Sequence, residues 1–334
     1  MLTDQNISLA HGNGGRYMRE LIEEIFVRHL GAGGLDAEAD AVAFDCGSGE
    51  WMITTDGFTV QPLEFPGGSI GSLAVHGTVN DLAVAGARPR HLTLNAFIEE
   101  GMAVAQLDRI VADLARAAGR CGVSVIAGDT KVLRRGEGGG LYLATTGVGE
   151  RLPGVRPALG NIRQGDTLIV SGTLGDHGTA VMLAREDFDL KGDLESDSAP
   201  VHELAARLME FPGLRFMRDP TRGGVASVAH EISRATGFGV TFDANLPVSA
   251  PVQSVCDMLG YDPCYLASEG RLLAVIDSSE AERAVAALRE LPGGENATAA
   301  GRITAPGERV TLATELGGER FLEELEDDPL PRIC

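Results

Sequence analysis

Positive charge is scarce in this chain. Its 28 lysines and arginines stand against 48 aspartates and glutamates, a formal net charge of −20. Nucleic-acid affinity comes mainly from lysine and arginine, so this balance argues against a nucleic-acid partner. An anionic ligand such as ATP would need a metal ion or a local basic cluster. No apolar run approaches the ~20 residues needed to span a bilayer. The opening "MLTDQNISLAHGNGG" lacks the basic start and apolar run of a secretory signal. A soluble cytoplasmic protein is expected, with no membrane partner. The five cysteines, at 46, 121, 256, 264 and 334, form no CxxC pair. An odd count without such pairs signals neither a disulfide framework nor a zinc site. Cys121 and Cys256 lie in apolar helical patterns and read as buried packing residues. Only Cys334 is expected to be exposed and mobile.

Two phosphate signatures are also absent: there is no GxxxxGK[ST] loop and no GxGxxG between a strand and a helix. A formal GxSxG occurs at 67–71, "GGSIG", but a nucleophile elbow needs a strand directly before the serine. A proline turn stands there instead, and Ser69 reads as a helix cap.

What is present is a globular chain of 334 residues, 44% hydrophobic, long enough for about two domains. Apolar spacing predicts helices at 16–30, in the stretch from Ser69 to a stop at Gly86, at 104–122, 179–186, 201–210, 225–237, 251–260 and 280–291. Strands are expected at 41–44, 50–56, 91–98, 123–130, 141–150, 167–172 and 272–277, with two more near 300 and 310. Proline and glycine turns in "RLPGVRPALGNIRQGD" mark a domain boundary. The expected organisation is an N-terminal arm and helix (1–39), a first α/β domain (40–150), a second (151–318) and an acidic tail (319–334).

Acidic residues occupy awkward places. Asn80 and Asp81 sit inside an otherwise small and apolar helix, "VNDLAVAGA", where an ionised carboxylate is costly unless paired or metal-bound. Asp56 in "TTDGF" and Asp129 in "AGDTK" are read at strand ends, where α/β folds collect ligands. Asp40 begins another strand. Several such carboxylates, with no His/Cys clustering, suit Mg²⁺ and a nucleotide phosphate. Ordinary capping and turn use explains any one of them, but explains Asp81 poorly. Lys131, Arg134 and Arg135 in "GDTKVLRRG", and Arg218 and Arg222 in "RDPTRGG", are basic residues in glycine-rich turns. The second turn opens a helix, whose N-terminus attracts anions. His177 in "GDHG" and Glu269 in "ASEGR" sit in tight turns, and either is a candidate proton carrier.

The chain ends "DPLPRIC", with a thiol on its last residue. A prenylation box would need three residues after the cysteine. Tolerated drift of a terminus is the plain alternative.

These segments resemble one family in order and over nearly the whole chain. "HGNGGR", "TTDGF", "FPGGSIGSLAVHGTVNDLAVAGA", "FIEEG", "GDTKVLRRG", "SGTLGDHG", "RDPTRGG", "GYDPCYLASEG" and the terminal "PRIC" are similar to HypE, the carbamoyl dehydratases that help make the cyanide ligands of nickel–iron hydrogenases. Departures are small: Ser268 stands where relatives usually have asparagine, and His76 where cysteine is common.

The resemblance implies a mixed α/β fold of two domains like aminoimidazole ribonucleotide synthetase (PurM-like), paired as a homodimer through N-terminal sheets. It implies that the carbamoyltransferase HypF loads a carbamoyl group onto Cys334. ATP then drives dehydration to a thiocyanate, and cyanide passes to iron held by HypC–HypD. By motif position, Asp40, Asp56, Asp81 and Asp129 would handle Mg²⁺ and phosphate with Asn80 in support, and Lys131 and Arg222 would balance phosphate charge. Glu269 is the first choice for taking the amide proton, with Lys131 and His177 as rivals. Two other readings stay open: another ATP-dependent synthetase of the same fold, for which a terminal cysteine has no use, and a nucleotide-binding scaffold that carries a group without transforming it.

Overall fold

The computed structural model describes residues 5–8, 11, 20–33, 47–154, 156–185, 194–307 and 309–325. The expected strand at 41–44, Asp40 and Cys334 lie outside them. Two compact units divide the chain. The first holds the residues up to Leu82 together with Ala87–Arg151, and the second holds Ala83–Gly86 and the chain from Leu152 onward.

The first unit opens with helix α1, a π-helical stretch Ile22–Val27 continued by Arg28–Leu30. Strand β1 (Trp51–Phe58), a small hairpin of β2 (Glu64–Phe65) and β3 (Gly68–Ser69), and helix α2 (Ile70–Val84) follow. Then come β4 (Ala87–Glu99), α3 (Val104–Cys121), β5 (Ser124–Leu133) and β6 (Leu141–Arg151). The main sheet has the order β1-β6-β4-β5. Only β4 and β5 run parallel, and α3 supplies the crossover that a parallel pair requires. Helix α3 buries Leu107, Ile110, Val111, Leu114 and Cys121, one stripe at helical spacing, and stops at Gly122 in the left-handed region. Pro89 lies within β4, beside β6 alone, because β5 joins only from His91; proline is tolerated at such an edge.

Helix α2 has no polar face. Every residue from Ile70 to Val84 is buried except Asp81, which is half-buried. Ser69 caps it as expected: its Oγ accepts the Gly71 N–H at 3.2 Å and donates to Asp113 at 2.6 Å. A β-carbon at Gly71 would lie 2.3 Å from the Ile110 carbonyl oxygen, so α2 and α3 cross at a distance only glycine permits.

The second unit contains β7 (Thr167–Val170), α4 (Asp176–Ala184), α5 (His202–Leu208), β8 (Leu214–Arg218), α6 (Gly224–Thr236), β9 (Phe238–Phe242) and α7 (Ala250–Leu259). It closes with β10 (Leu273–Ile276), α8 (Ala281–Arg289), β11 (Thr298–Pro306), β12 (Val310–Ala313) and β13 (Glu319–Phe321). Its sheet has the order β13-β12-β9-β11-β7-β10-β8. The central strands β7 and β10 are unbroken apolar runs because both their faces are covered. Ile169, Ala274 and Ile276 face α5 and α8. Leu168, Val170, Leu273 and Val275 face α6.

Three features depart from the sequence reading. Strands β8 and β9 were not anticipated. Helix α4 begins at Asp176, so His177 lies in its first turn and not in a tight turn before it. The acidic C-terminal segment enters the sheet: Glu319–Phe321 pairs with β12, and Leu322 is buried. Cys121 and Cys256 are buried as expected, and so is Cys264. Among the described residues, no helix is long and apolar enough to cross a membrane.

Candidate active site

Two groups of polar side chains stand out, one in each unit. In the first unit, Asp56 lies inside β1 and not at its end, since the strand runs on to Phe58. It pairs with Thr145, and Thr54 pairs with Gly147, where a β-carbon would strike Thr78 and Leu82 of α2. Paired residues share a face, so Thr54 and Asp56 face α2. A β-carbon at Gly77 would stand 3.7 Å from Asp56 Oδ2, which puts this carboxylate against that helix. Asp81 follows Gly77 by four residues on the same face. Its Oδ2 accepts the Thr54 hydroxyl at 2.9 Å, and Asn80 beside it is buried. The predicted cost of Asp81 is thereby reduced: it has a hydroxyl donor and partial access to water. Thr54, Asp56 and Asp81 lie together where β1 packs against α2.

Asp129 and Lys131 are on the other side of the sheet. Asp129 also lies inside its strand, opposite Asn95 of β4, with Lys131 opposite Phe97. The alternate residues Leu94, Ala96 and Thr130 are the buried ones. Strand alternation thus sends Asp129 and Lys131 to the face away from the helices. Lys131 Nζ is 3.7 Å from Asp129 Oδ2, with both side chains more than half exposed. The carboxylates expected to gather around a metal are therefore split, Asp56 and Asp81 on the face toward α2 and Asp129 on the opposite face. Among the described residues, no group of three or more His, Cys, Asp or Glu side chains converges on a metal position.

The "FIEEG" and "VLRRG" segments form a turn. Glu99 accepts the N–H groups of Gly136 at 2.6 Å and Gly140 at 2.9 Å. These donors, with Arg135 nearby, hold its carboxyl below the usual range. Arg135 thus has a structural neighbour in this turn.

In the second unit His177 is fully buried and Glu269 nearly so. His177 Nδ1 is 2.8 Å from Ser196 Oγ, and the Glu269 N–H donates to Asp197 Oδ1 at 3.1 Å. The neighbouring Ser268 accepts the Gly175 N–H at 2.9 Å. Arg218 is engaged elsewhere: it forms an ion pair with Glu231 of α6. Arg222 is exposed just before the N-terminus of α6.

Sequence reasoning missed Asp176, Asp197 and Arg271, three charged groups almost out of solvent. Arg271 Nε is 3.4 Å from Asp197 Oδ2, and Arg271 Nη2 is 3.9 Å from Asp176 Oδ2. One signal was available: in "SEGRLLAVI" an arginine leads directly into a buried strand and so requires buried counter-charges.

The two units match the two halves of one family. Residues 38–151 match the N-terminal domain of AIR synthase related proteins, and residues 163–313 match its C-terminal domain. The fold is therefore that of the PurM-like, AIR synthase-related proteins. The chain is 45% identical to carbamoyl dehydratase HypE of Rhodobacter capsulatus, over 100% of this chain and 99% of that protein. A crystal structure of the hydrogenase maturation protein HypE in complex with ATP superposes with a TM-score of 0.90 at 39% identity, covering 98% of this chain and 99% of that one. HypE in a crystal structure of the HypE–HypF complex gives a TM-score of 0.80 at 38% identity, covering 91% and 99%. The chain belongs to the HypE family, the carbamoyl dehydratases of hydrogenase maturation.

Proposed function

We propose that this enzyme carries its substrate on the thiol of Cys334 and dehydrates it with ATP. A carbamoyl group from a HypF partner forms the thiocarboxamide Cys334–S–C(=O)NH₂. ATP supplies the activation: transfer of its terminal phosphoryl group to the amide oxygen turns a poor leaving group into phosphate. The C–O bond breaks, both amide protons are lost, and Cys334–S–C≡N remains with ADP and phosphate. The cyanide is then accepted by the HypC–HypD complex. The HypE–ATP and HypE–HypF structures of relatives support the nucleotide and the donor. The single observation within this chain that carries the reading is the burial of Glu269 and His177, two proton carriers, in one ordered region.

Asp56 and Asp81 fit a Mg²⁺ ion, which commonly takes one or two carboxylates together with phosphate oxygens. They lie together where β1 meets α2, and Thr54 donates to Asp81. The ion would neutralise phosphate charge in a protein of net charge −20. Asp40 and Asp129 are assigned to the same task by motif position, and Lys131 and Arg222 to phosphate charge. Glu269 is the proposed proton acceptor, with Lys131 and His177 as alternatives. The face that carries Asp129 and Lys131 also presents Ile53, 74% exposed on an outer strand. Homodimer pairing through this sheet is inferred from the family resemblance, and Ile53 is a position at which to probe it. The cytoplasm is the proposed location.

Intact mass of the protein after carbamoyl loading, before and after ATP and Mg²⁺, tests the reaction. A gain of one carbamoyl group followed by loss of one water is expected. A loaded mass unchanged by ATP would refute it.

A further inference from the structure

Segment 194–199, "LESDSA", has no regular secondary structure, yet it is held tightly across the loop before β10. A β-carbon at Gly270 would lie 1.8 Å from the Asp197 carbonyl oxygen and 2.8 Å from the Ala199 nitrogen, so the two backbones touch where only glycine fits. Two consecutive side chains of the segment then reach two proton carriers. Ser196 Oγ meets the His177 ring, and Asp197 Oδ1 accepts the Glu269 N–H.

Asp197 is an expensive residue to bury. Its side chain is 1% exposed, and its Oδ2 has no hydrogen bond of its own, only Arg271 Nε at 3.4 Å. Removing a carboxylate from water is costly, so a buried charge of this kind is weak evidence for a stabilising role. Arg271 is itself shared. It donates to the Thr173 carbonyl at 3.1 Å and to the Gly270 and Gly293 carbonyls at 3.4 Å. Asp176, which also faces Arg271, is held by the Ser249 hydroxyl at 2.7 Å and by Thr173. The arrangement fixes backbone: Arg271 ties together three loops, and Asp197 ties the Glu269 amide to them.

We propose that Asp197, held by Arg271, is a positioning residue for the dehydration, fixing the backbone that carries Glu269 while its neighbour Ser196 holds the His177 ring. The inference rests on the proposed role of Glu269 and His177. A charged acceptor grips an amide more firmly than a neutral one. Positioning of a reacting group to within an ångström is worth orders of magnitude in rate. The groups that face Asp197 set its ionisation. Burial pushes its carboxyl up to about 6, against Arg271 and the Glu269 N–H, and Asp176 adds to the rise. Its charge, and with it the grip on Glu269, is therefore present above pH ~6 and lost as the pH falls through that value.

The test uses the full-length carbamoylated protein and measures thiocyanate formation between pH 5 and 9. Asp197→Asn keeps the shape and an acceptor for the Glu269 amide. It is expected to lower kcat at least tenfold, leave carbamoyl loading unchanged and keep the KM for ATP within twofold. The fall in rate of the wild type near pH 6 should vanish in this variant. Arg271→Lys should lower kcat several-fold and move that acid limb to higher pH, because Asp197 loses part of its counter-charge. A wild-type kcat and unshifted limb in Asp197→Asn would overturn the proposal. If Asp197→Asn does not fold, Arg271→Lys decides, and an unmoved limb overturns it. Cys334→Ala separates this from the carrier reading: loading on that variant refutes the carrier, whereas a silent Asp197→Asn with Cys334 essential refutes only the positioning.

Discussion

The Thr54 hydroxyl donates to the Asp81 carboxylate at 2.9 Å, joining an edge strand to the one half-buried residue of a helix otherwise wholly enclosed. That contact gives the Asp81 carboxylate one fixed donor beside Asp56, whose carboxylate faces the same helix.

Asp81→Asn keeps the volume and can still accept from Thr54. Its unfolding midpoint should therefore stay close to that of the wild type, while ATP-dependent thiocyanate formation falls more than tenfold. Thr54→Val should do less, because one hydrogen bond is worth about 1 kcal/mol. Urea denaturation and intact mass measure the two effects. Normal turnover by Asp81→Asn would remove it from the site.

Glu269→Gln is isosteric and keeps the backbone contact to Asp197. Carbamoyl loading and ATP binding should persist while dehydration stalls, since loss of a general base typically costs ~10²–10⁴ in rate. Single-turnover measurement of thiocyanate formation checks this. An effect below about threefold would transfer the role to Lys131 or His177.

The thiols should differ sharply in reactivity. Burial pushes Cys121 up to about 12 and Cys256 up to about 11, and it raises Cys264 well above the ordinary thiol range. The thiolate is the reactive form, so at pH 7–8 these three present almost none. Brief alkylation of the native protein should leave all three unmodified and label Cys334. Peptide mapping by mass spectrometry reads the outcome, and rapid native labelling of Cys264 would contradict the burial described here.

Adding a few residues after Cys334 tests why the thiol is last. A site dry enough to protect an activated amide from water leaves little room beyond the sulfur. The extended protein should be loaded with carbamoyl normally yet form no thiocyanate, whereas an equal N-terminal extension should have a smaller effect. Assay of both after matched loading decides the point. Full activity of the C-terminally extended protein would show that the thiol matters but its terminal place does not.

Much of this protein is legible one residue at a time. The stripe of α3, its stop at Gly122, the Ser69 cap and the apolar runs of β7 and β10 are local signals, since each depends on spacing within a single element. The ordered array of HypE-like segments is equally readable, because it lies in the linear text. Strands β8, "LRFMR", and β9, "FGVTF", are not legible in the sequence because five-residue runs beside strong helices carry little periodicity of their own. Their identity comes from neighbours: β8 pairs with β10, and β9 with β11 and β12. The same limit governs the site. Asp56 and Asp129 look alike in sequence, each an aspartate near the end of a strand. Which face each one occupies depends on how β1, β6, β4 and β5 register against the helices, and that parted them. The Asp197–Arg271 pair is the extreme case. Its residues are 74 positions apart in irregular segments, so no local pattern could announce that packing would bury the Asp197 carboxylate, cover most of Arg271 and set them 3.4 Å apart.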